Sequence, residues 1–181
     1  MIAAALSSIH ENDSMELLEA IDTRASAARL VAPGPGASDL ERILHAAGRA
    51  PDHGRLRPWR LVVLEGEQRE RFAAAAAEAK RARNPALTEE QVLSDRAKLL
   101  ASPTLVVVGC SVKKPHKVPE IEQVIAAGAA AENLFLAAHA LGYGVMWKTG
   151  AAAYDARVKA VLGMAPEDHI VGIMHLGTRA P

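Results

Sequence analysis

Aromatic side chains are scarce in this chain: two Phe, two Trp and two Tyr among 181 residues, although half of all residues are hydrophobic. The core must therefore be assembled from Ala, Leu, Val and Ile, small or branched groups that let helices approach closely. Cysteine is reduced to Cys110, which excludes an internal disulfide. That residue closes the apolar run Leu105–Gly109 with no neighbouring group to lower its pKa, so it reads as a buried strand-end thiol and not as a nucleophile. Charge of one sign is missing too: 21 basic and 21 acidic residues cancel, which leaves no global field to attract nucleic acid or an anionic membrane. Any anion site has to be local.

The signatures of several function classes are also absent. The apolar patch in the first thirteen residues has no cationic stretch before it, so residues 1–13 are expected to be a flexible extension, not a secretory leader, ahead of a single domain over 14–181. With one cysteine and no leader, a cytoplasmic location is expected. Gly34-Pro35-Gly36 contains a proline and follows no strand, which excludes a Rossmann fingerprint, and no P-loop occurs. The seven histidines, at 10, 45, 53, 116, 139, 169 and 175, are scattered without metal-ligand spacing, so no metal site is expected. A nucleophile elbow is not found, and Asp52-His53, as chain neighbours, cannot by themselves form a catalytic dyad.

What is present is an alternation of helical and strand patterns. Ser14 caps a predicted helix ending near Thr23, and Ser38 with Glu41 forms a capping box for a second. Arg60–Leu64 reads as a strand, followed by an Ala-rich helix over 67–82 and a further helix introduced by the Thr88/Gln91 capping box. Leu105–Val108 has the unbroken apolar character of a buried strand. Pro119 opens a long helix to Leu141, ended by Gly142 and Gly144. Glu132, Asn133 and His139 interrupt its apolar surface, which favours a buried helix over a membrane span. Strands at 145–147 and 170–176 flank a helix over 155–162, and the whole suggests helices covering a small mixed sheet. The small-residue run Ala126–Ala131 allows close packing on more than one side, so the long helix is expected at the two-fold axis of a homodimer.

Three dispersed groups of cationic and hydroxyl side chains remain as candidate ligand contacts. They are Arg24 with Ser26, Arg49 with His53 in the polar loop before Pro58-Trp59, and Lys148-Thr149-Gly150. Arginine and serine can grip a phosphate, while lysine, threonine and backbone N–H groups can hydrogen-bond the polar edge of a ring. Each group could equally be a solvated turn.

Taken in order, Arg24-Ala25-Ser26, Arg49-Ala50-Pro51-Asp52-His53, Pro58-Trp59, His116-Lys117-Val118-Pro119, Gly142-Tyr143-Gly144, Trp147-Lys148-Thr149-Gly150, Ile170-Val171-Gly172 and Leu176-Gly177-Thr178 resemble the nitroreductase family of FMN-dependent oxidoreductases. The resemblance runs from about Met15 to Gly177. It implies an α+β, nitroreductase-like fold with a central, mostly antiparallel sheet flanked by helices, in an intertwined homodimer with FMN at the subunit interface. By that likeness Arg24, Ala25 and Ser26 bind FMN near its phosphate and ribityl end, Lys148, Thr149 and Gly150 line the ring, and Arg49 and His53 reach it from the partner. Ala25 departs from the family pattern, which often has a second Arg there. The implied activity is reduction of nitroaromatic or quinone-type acceptors by NADH or NADPH, a ping-pong hydride transfer through flavin N5 with no catalytic side chain. A flavin-binding or scavenging module without substantial turnover is the alternative.

Overall fold

A computed structural model describes residues 15–181. The expected extension over 1–13 and the proposed Ser14 cap lie outside the described residues. In chain order the elements are α1 (Leu17–Thr23), β1 (Leu30–Val31), α2 (Ala37–Ala47), β2 (Trp59–Val63), α3 (Gly66–Arg83), α4 (Glu89–Leu100), β3 (Thr104–Cys110), α5 (Glu120–Ala140), β4 (Gly144–Lys148), α6 (Ala156–Val161) and β5 (His169–Arg179).

The five strands form one sheet in the order β1-β5-β3-β2, with β4 also paired to β5. Every strand pair is antiparallel. The mixed sheet suggested by element alternation is thereby corrected, and the α+β architecture with an antiparallel sheet is observed. Alternating helices and strands do not require parallel pairing when connections cross the sheet in both directions. The parallel contact is a single bridge between Ser26 and Val145.

Strand alternation divides the core into two layers. On one face Leu105 and Val107 of β3 and Ile173 of β5 pack with Phe72, Ala76 and Ala79 of α3 and Val158 of α6. On the other, Val106, Val108, Met174 and Leu176 meet Ile43 and Ala47 of α2 and Ala131, Leu134 and Phe135 of α5. A bulge between Val108 and Gly109 shifts the register with β5 near its start. Alanines dominate both helix faces that meet the sheet, which compensates for the shortage of aromatics by shortening the distance between layers.

Cap chemistry separates two sequence readings. The Thr88/Gln91 box is formed in both directions, with Gln91 N–H donating to Thr88 Oγ1 at 3.3 Å and Thr88 N–H donating to Gln91 Oε1 at 3.0 Å. The Ser38/Glu41 box is not formed: the helix starts two residues earlier than that box requires, at Ala37, and Gly36 occupies the cap position without a side-chain bond. Proline and glycine in the preceding turn bring the chain into helix before Ser38 is reached. The long helix α5 is apolar enough by composition to cross a membrane, but it packs on α2, β3 and β5, with Leu134 and Phe135 buried. Cys110 is fully buried, and burial beside Asp168 and Glu120 pushes its thiol up to about 11, in keeping with an inert strand-end residue.

Phe72 is one of two phenylalanines in the chain and is fully buried at the centre of the α3 layer. Phe72→Ala should cost about 3–5 kcal/mol, because a core of short aliphatic side chains cannot collapse into the space left. Urea denaturation of the two proteins measures this; a loss under ~1 kcal/mol would show that the layer repacks.

Candidate active site

The α3/α4 side of the sheet carries a two-lobed cleft. Its larger lobe, about 510 Å³, has an apolar wall of Ala76, Ala77, Leu99, Ala151, Ala152 and Ile173, and a polar rim of Lys98, Lys148, Thr149 and Gly150. The smaller lobe, about 340 Å³, is bounded by Ala27–Leu30, Ala101, Ser102 and Met146. Lys98, Lys148 and His175 belong to both lobes and join them. A cleft of this size with a few convergent polar groups suits a small molecule or cofactor.

The rim is set by the end of β4. Gly150 has φ +64° and ψ −161°, a conformation that is essentially reserved for glycine, and a Cβ there would meet no atom within 4 Å. Backbone at this turn is thus open to close approach by a ligand. The N–H groups of Thr149 and Gly150 donate to no other loop or turn carbonyl among the described residues. At the other end of β4, Gly144 makes room for the incoming chain: a Cβ would lie 2.6 Å from Leu30 and 3.1 Å from Ala27. Ala27 N–H donates to Val145 O at 2.8 Å, which aligns residues 26–30 along the smaller lobe.

Arg24-Ala25-Ser26 lies next to the cleft without lining it. A hydrogen-bonded chain fixes its backbone: Arg179 donates to Ala25 O at 3.2 Å and to His139 Nδ1 at 2.9 Å. His139 Nε2–H is then free to donate to Thr23 Oγ1 at 2.9 Å, and the Thr23 hydroxyl donates to Glu19 O at 2.7 Å. Since arginine can only donate, His139 must be neutral for the chain to close. Burial, then Arg179 and Arg24, keep its pKa below the ordinary value. The Arg24 side chain points away from the cleft, 3.8 Å from Glu132 and over the ring of Phe135.

Arg49 and His53 are not brought to the cleft of their own chain. Arg49 borders a shallow concavity beside Leu17, Ala20, Asn133 and Ala137. His53 Nδ1 lies 2.6 Å from Glu122 Oε2, while Asp52 accepts the backbone N–H of Arg57 at 2.8 Å. The two chain neighbours therefore face different partners, and a catalytic Asp52-His53 dyad is not formed.

Lys98 and the Ser102–His175 pair escaped the sequence reading. Lys98 sits in the last turn of α4, where lysine normally serves as a solvated helix-terminal charge. His175 sits in an apolar strand, and the motifs on either side of it, Ile170-Val171-Gly172 and Leu176-Gly177-Thr178, do not include it. Folding alone places both next to Lys148. Burial, followed by the charges of Lys148 and Arg69, drives His175 down to about 4, so the ring is neutral near pH 7.

Comparison with known proteins identifies the family and the fold. The nitroreductase family profile matches residues 21–178. A protein of Escherichia coli (strain K12) named "Putative NAD(P)H nitroreductase YdjA" is 37% identical over 164 residues, which cover 91% of this chain and 88% of that one. A Haemophilus influenzae relative with the same activity in its name is 34% identical over 171 residues, covering 91% and 89%. Among solved structures, a nitroreductase-like family protein from Bacillus cereus superposes with a TM-score of 0.76 at 26% identity, covering 92% of this chain and 87% of that one. A nitroreductase with bound FMN from Bacteroides fragilis superposes at 0.68 with 28% identity, covering 92% and 89%. This chain belongs to the nitroreductase family.

The buried neutral histidines set an acid limit on the fold. For His139 and His175 the folded pKa lies below the ordinary histidine value of 6.5, so their contribution is complete above about pH 6.5 and is lost as pH falls, for His175 through about 4. Asp155, held at about 2 by Arg157, takes over only below its unfolded value of 3.8. Urea unfolding should therefore show stability declining between pH 6.5 and 4, with a shallower decline in His175→Leu. An unchanged slope in that variant would mean the ring is not held neutral.

Proposed function

We propose that this protein is an FMN-dependent oxidoreductase that uses NADH or NADPH to reduce nitroaromatic or quinone-type acceptors, acting as a homodimer in the cytoplasm. The observation that carries the reading is the two-lobed cleft, on a chain of the nitroreductase family. The FMN in the Bacteroides fragilis relative supports the choice of cofactor. The names of the Escherichia coli and Haemophilus influenzae relatives support the choice of reductant.

The residues present fit a flavin. A planar ring system with a polar edge needs a flat aliphatic wall and hydrogen-bond donors along one side. Ala76, Ala77, Ala151, Ala152 and Ile173 form such a wall, and Lys98, Lys148 and the Thr149–Gly150 backbone are such donors. Bound flavin supplies hydride chemistry that no side chain here can perform. The protein's task is to hold the ring, keep one face open, and balance charge. Lys98 and Lys148 place two ammonium groups where negative charge on the polar edge is stabilised without reorganisation. Reductant and acceptor then use the same open side in turn, which gives ping-pong kinetics.

In this reading Arg24, Ala25 and Ser26 form the phosphate end. Arg24 must turn from Glu132 to reach a phosphate. The pair is long, at 3.8 Å, and both side chains are more than a third exposed, so giving it up costs under ~1 kcal/mol. A charge-assisted bond to phosphate more than offsets that. Arg49 and His53, remote from their own cleft, are assigned to the partner's cofactor. Leu17, Leu18 and Ile21 on α1 and Ile121 and Ile125 on α5 are exposed apolar groups near that side of the molecule, and they supply the contact area of the dimer.

The purified protein should be yellow or become so on adding FMN, with quenching of flavin fluorescence, and anaerobic NADPH should bleach the bound flavin. Failure to take up FMN overturns the proposal; uptake without bleaching by NADH or NADPH leaves a flavin-binding module. Arg24→Ala should weaken FMN by about 1.5–3 kcal/mol, the worth of a hydrogen bond to a charged group. An equal dissociation constant by fluorescence titration would remove Arg24 from the site.

A further inference from the structure

His175 is a neutral imidazole placed where a purely structural strand residue would be apolar. Its register on β5, opposite Leu105 of β3 and Met146 of β4, puts it on the same face as Ile173, the cleft side of the sheet. Exposure of the residue is 4%. Nδ1 is engaged by Ser102 Oγ at 2.5 Å, and Nε2 is buried without a hydrogen-bond partner among the described residues. A buried donor or acceptor left unmade costs about 1–3 kcal/mol. Such a group calls for a partner that the described residues do not supply.

The direction of the missing bond follows from Ser102. Its hydroxyl makes its one hydrogen bond among the described residues to this ring, and in the tautomer that uses the hydroxyl hydrogen Ser102 donates to Nδ1 and the ring proton sits on Nε2. Ser102 is itself pinned: the Arg69 guanidinium donates to Leu100 O at 2.9 Å, to Pro103 O at 3.3 Å, and to Ser102 O. The imidazole is therefore held from behind with one N–H left over, and it lines the junction of the two lobes together with Lys98 and Lys148.

We infer that His175 Nε2–H is a cofactor-binding donor, aimed at a carbonyl or ring-nitrogen acceptor on the polar edge of the heteroaromatic group held in the cleft. This rests on the flavin reading above and extends it: His175 joins Lys98 and Lys148 as a third donor at that edge, and the one that carries no charge. A neutral donor recognises the acceptor in both oxidation states, whereas the lysines favour the more negative one. Nε2 is buried, so contact requires neighbouring side chains to move, and the two lysines that share the lobe junction with it are exposed.

The test compares wild type, His175→Leu, which removes the donor, and His175→Gln, which keeps an N–H near the position of Nε2. FMN is titrated against each by fluorescence quenching, the visible spectrum is recorded at saturation, and FMN-free protein is unfolded in urea to score folding. The expected result is an FMN dissociation constant raised about ten-fold in His175→Leu, the effect of one lost hydrogen bond, and restored to within about three-fold in His175→Gln. The absorption band of bound flavin should shift in the Leu variant and return in the Gln variant. A Leu variant with lowered stability and an unchanged dissociation constant overturns the inference and leaves the ring a core residue. Wild type that binds no FMN overturns the functional reading itself, and the inference with it, so the two failures are distinct.

Discussion

The backbone pairing of β5 is the constraint on which the rest of the structure depends. Its eleven residues are hydrogen-bonded to β3, to β4 and, at the C-terminal end, to β1. Pairing with three strands fixes the register, and with period-two alternation a register slip of one residue would exchange the two faces of the sheet. Met174 and Leu176 would leave the α5 layer, and Ile173 and His175 would leave the cleft. The same pairing positions β4, and through it the Lys148–Gly150 turn. The site and the core are thus decided by one strand.

A second consequence is how charge is distributed. The chain has no net charge, yet the cleft gathers Lys80, Lys98 and Lys148 around a single acidic group, Asp95. Asp95 lies 2.5 Å from Lys80 and 3.4 Å from Lys98, and the two lysines hold its carboxyl below the ordinary range. Lys148 has no such partner among the described residues. Local excess of positive charge arises from folding an electrically balanced sequence, and it adds to the burial that keeps the imidazole beside it neutral. Acid sensitivity of the fold and a fixed neutral donor in the cleft have the same origin.

Much of the secondary structure was legible because it is encoded locally. The Thr88/Gln91 box, the apolar run of β3 and the small-residue surface of α5 each announce an element through a few residues of spacing. Local spacing misleads where distant chain decides the outcome. β1, two residues long, exists because β5 extends to pair with it, and nothing in Leu30-Val31 alone calls for a strand. Ser38 has the right neighbours for a cap, but the turn before it starts the helix early. In the site, Lys148-Thr149-Gly150 could be flagged from a glycine after a strand. Lys98 could not, since a lysine in a last helical turn is ordinary.

By itself the sequence determined the helix and strand propensities, the absence of a disulfide framework, the aliphatic character of the core, and, through an ordered set of short motifs, the family. Those properties depend on neighbouring residues or on composition, which linear order contains in full. Tertiary structure decided which strands are antiparallel partners, that Arg24 faces Glu132 while Lys98 and Lys148 share a cleft, and that His53 pairs with Glu122 instead of Asp52. It also decided that one imidazole has a ring nitrogen without a partner among the described residues, at the junction of two lobes. These are contacts between residues tens of positions apart, and their partners are set by strand register and helix packing, which no local spacing can express.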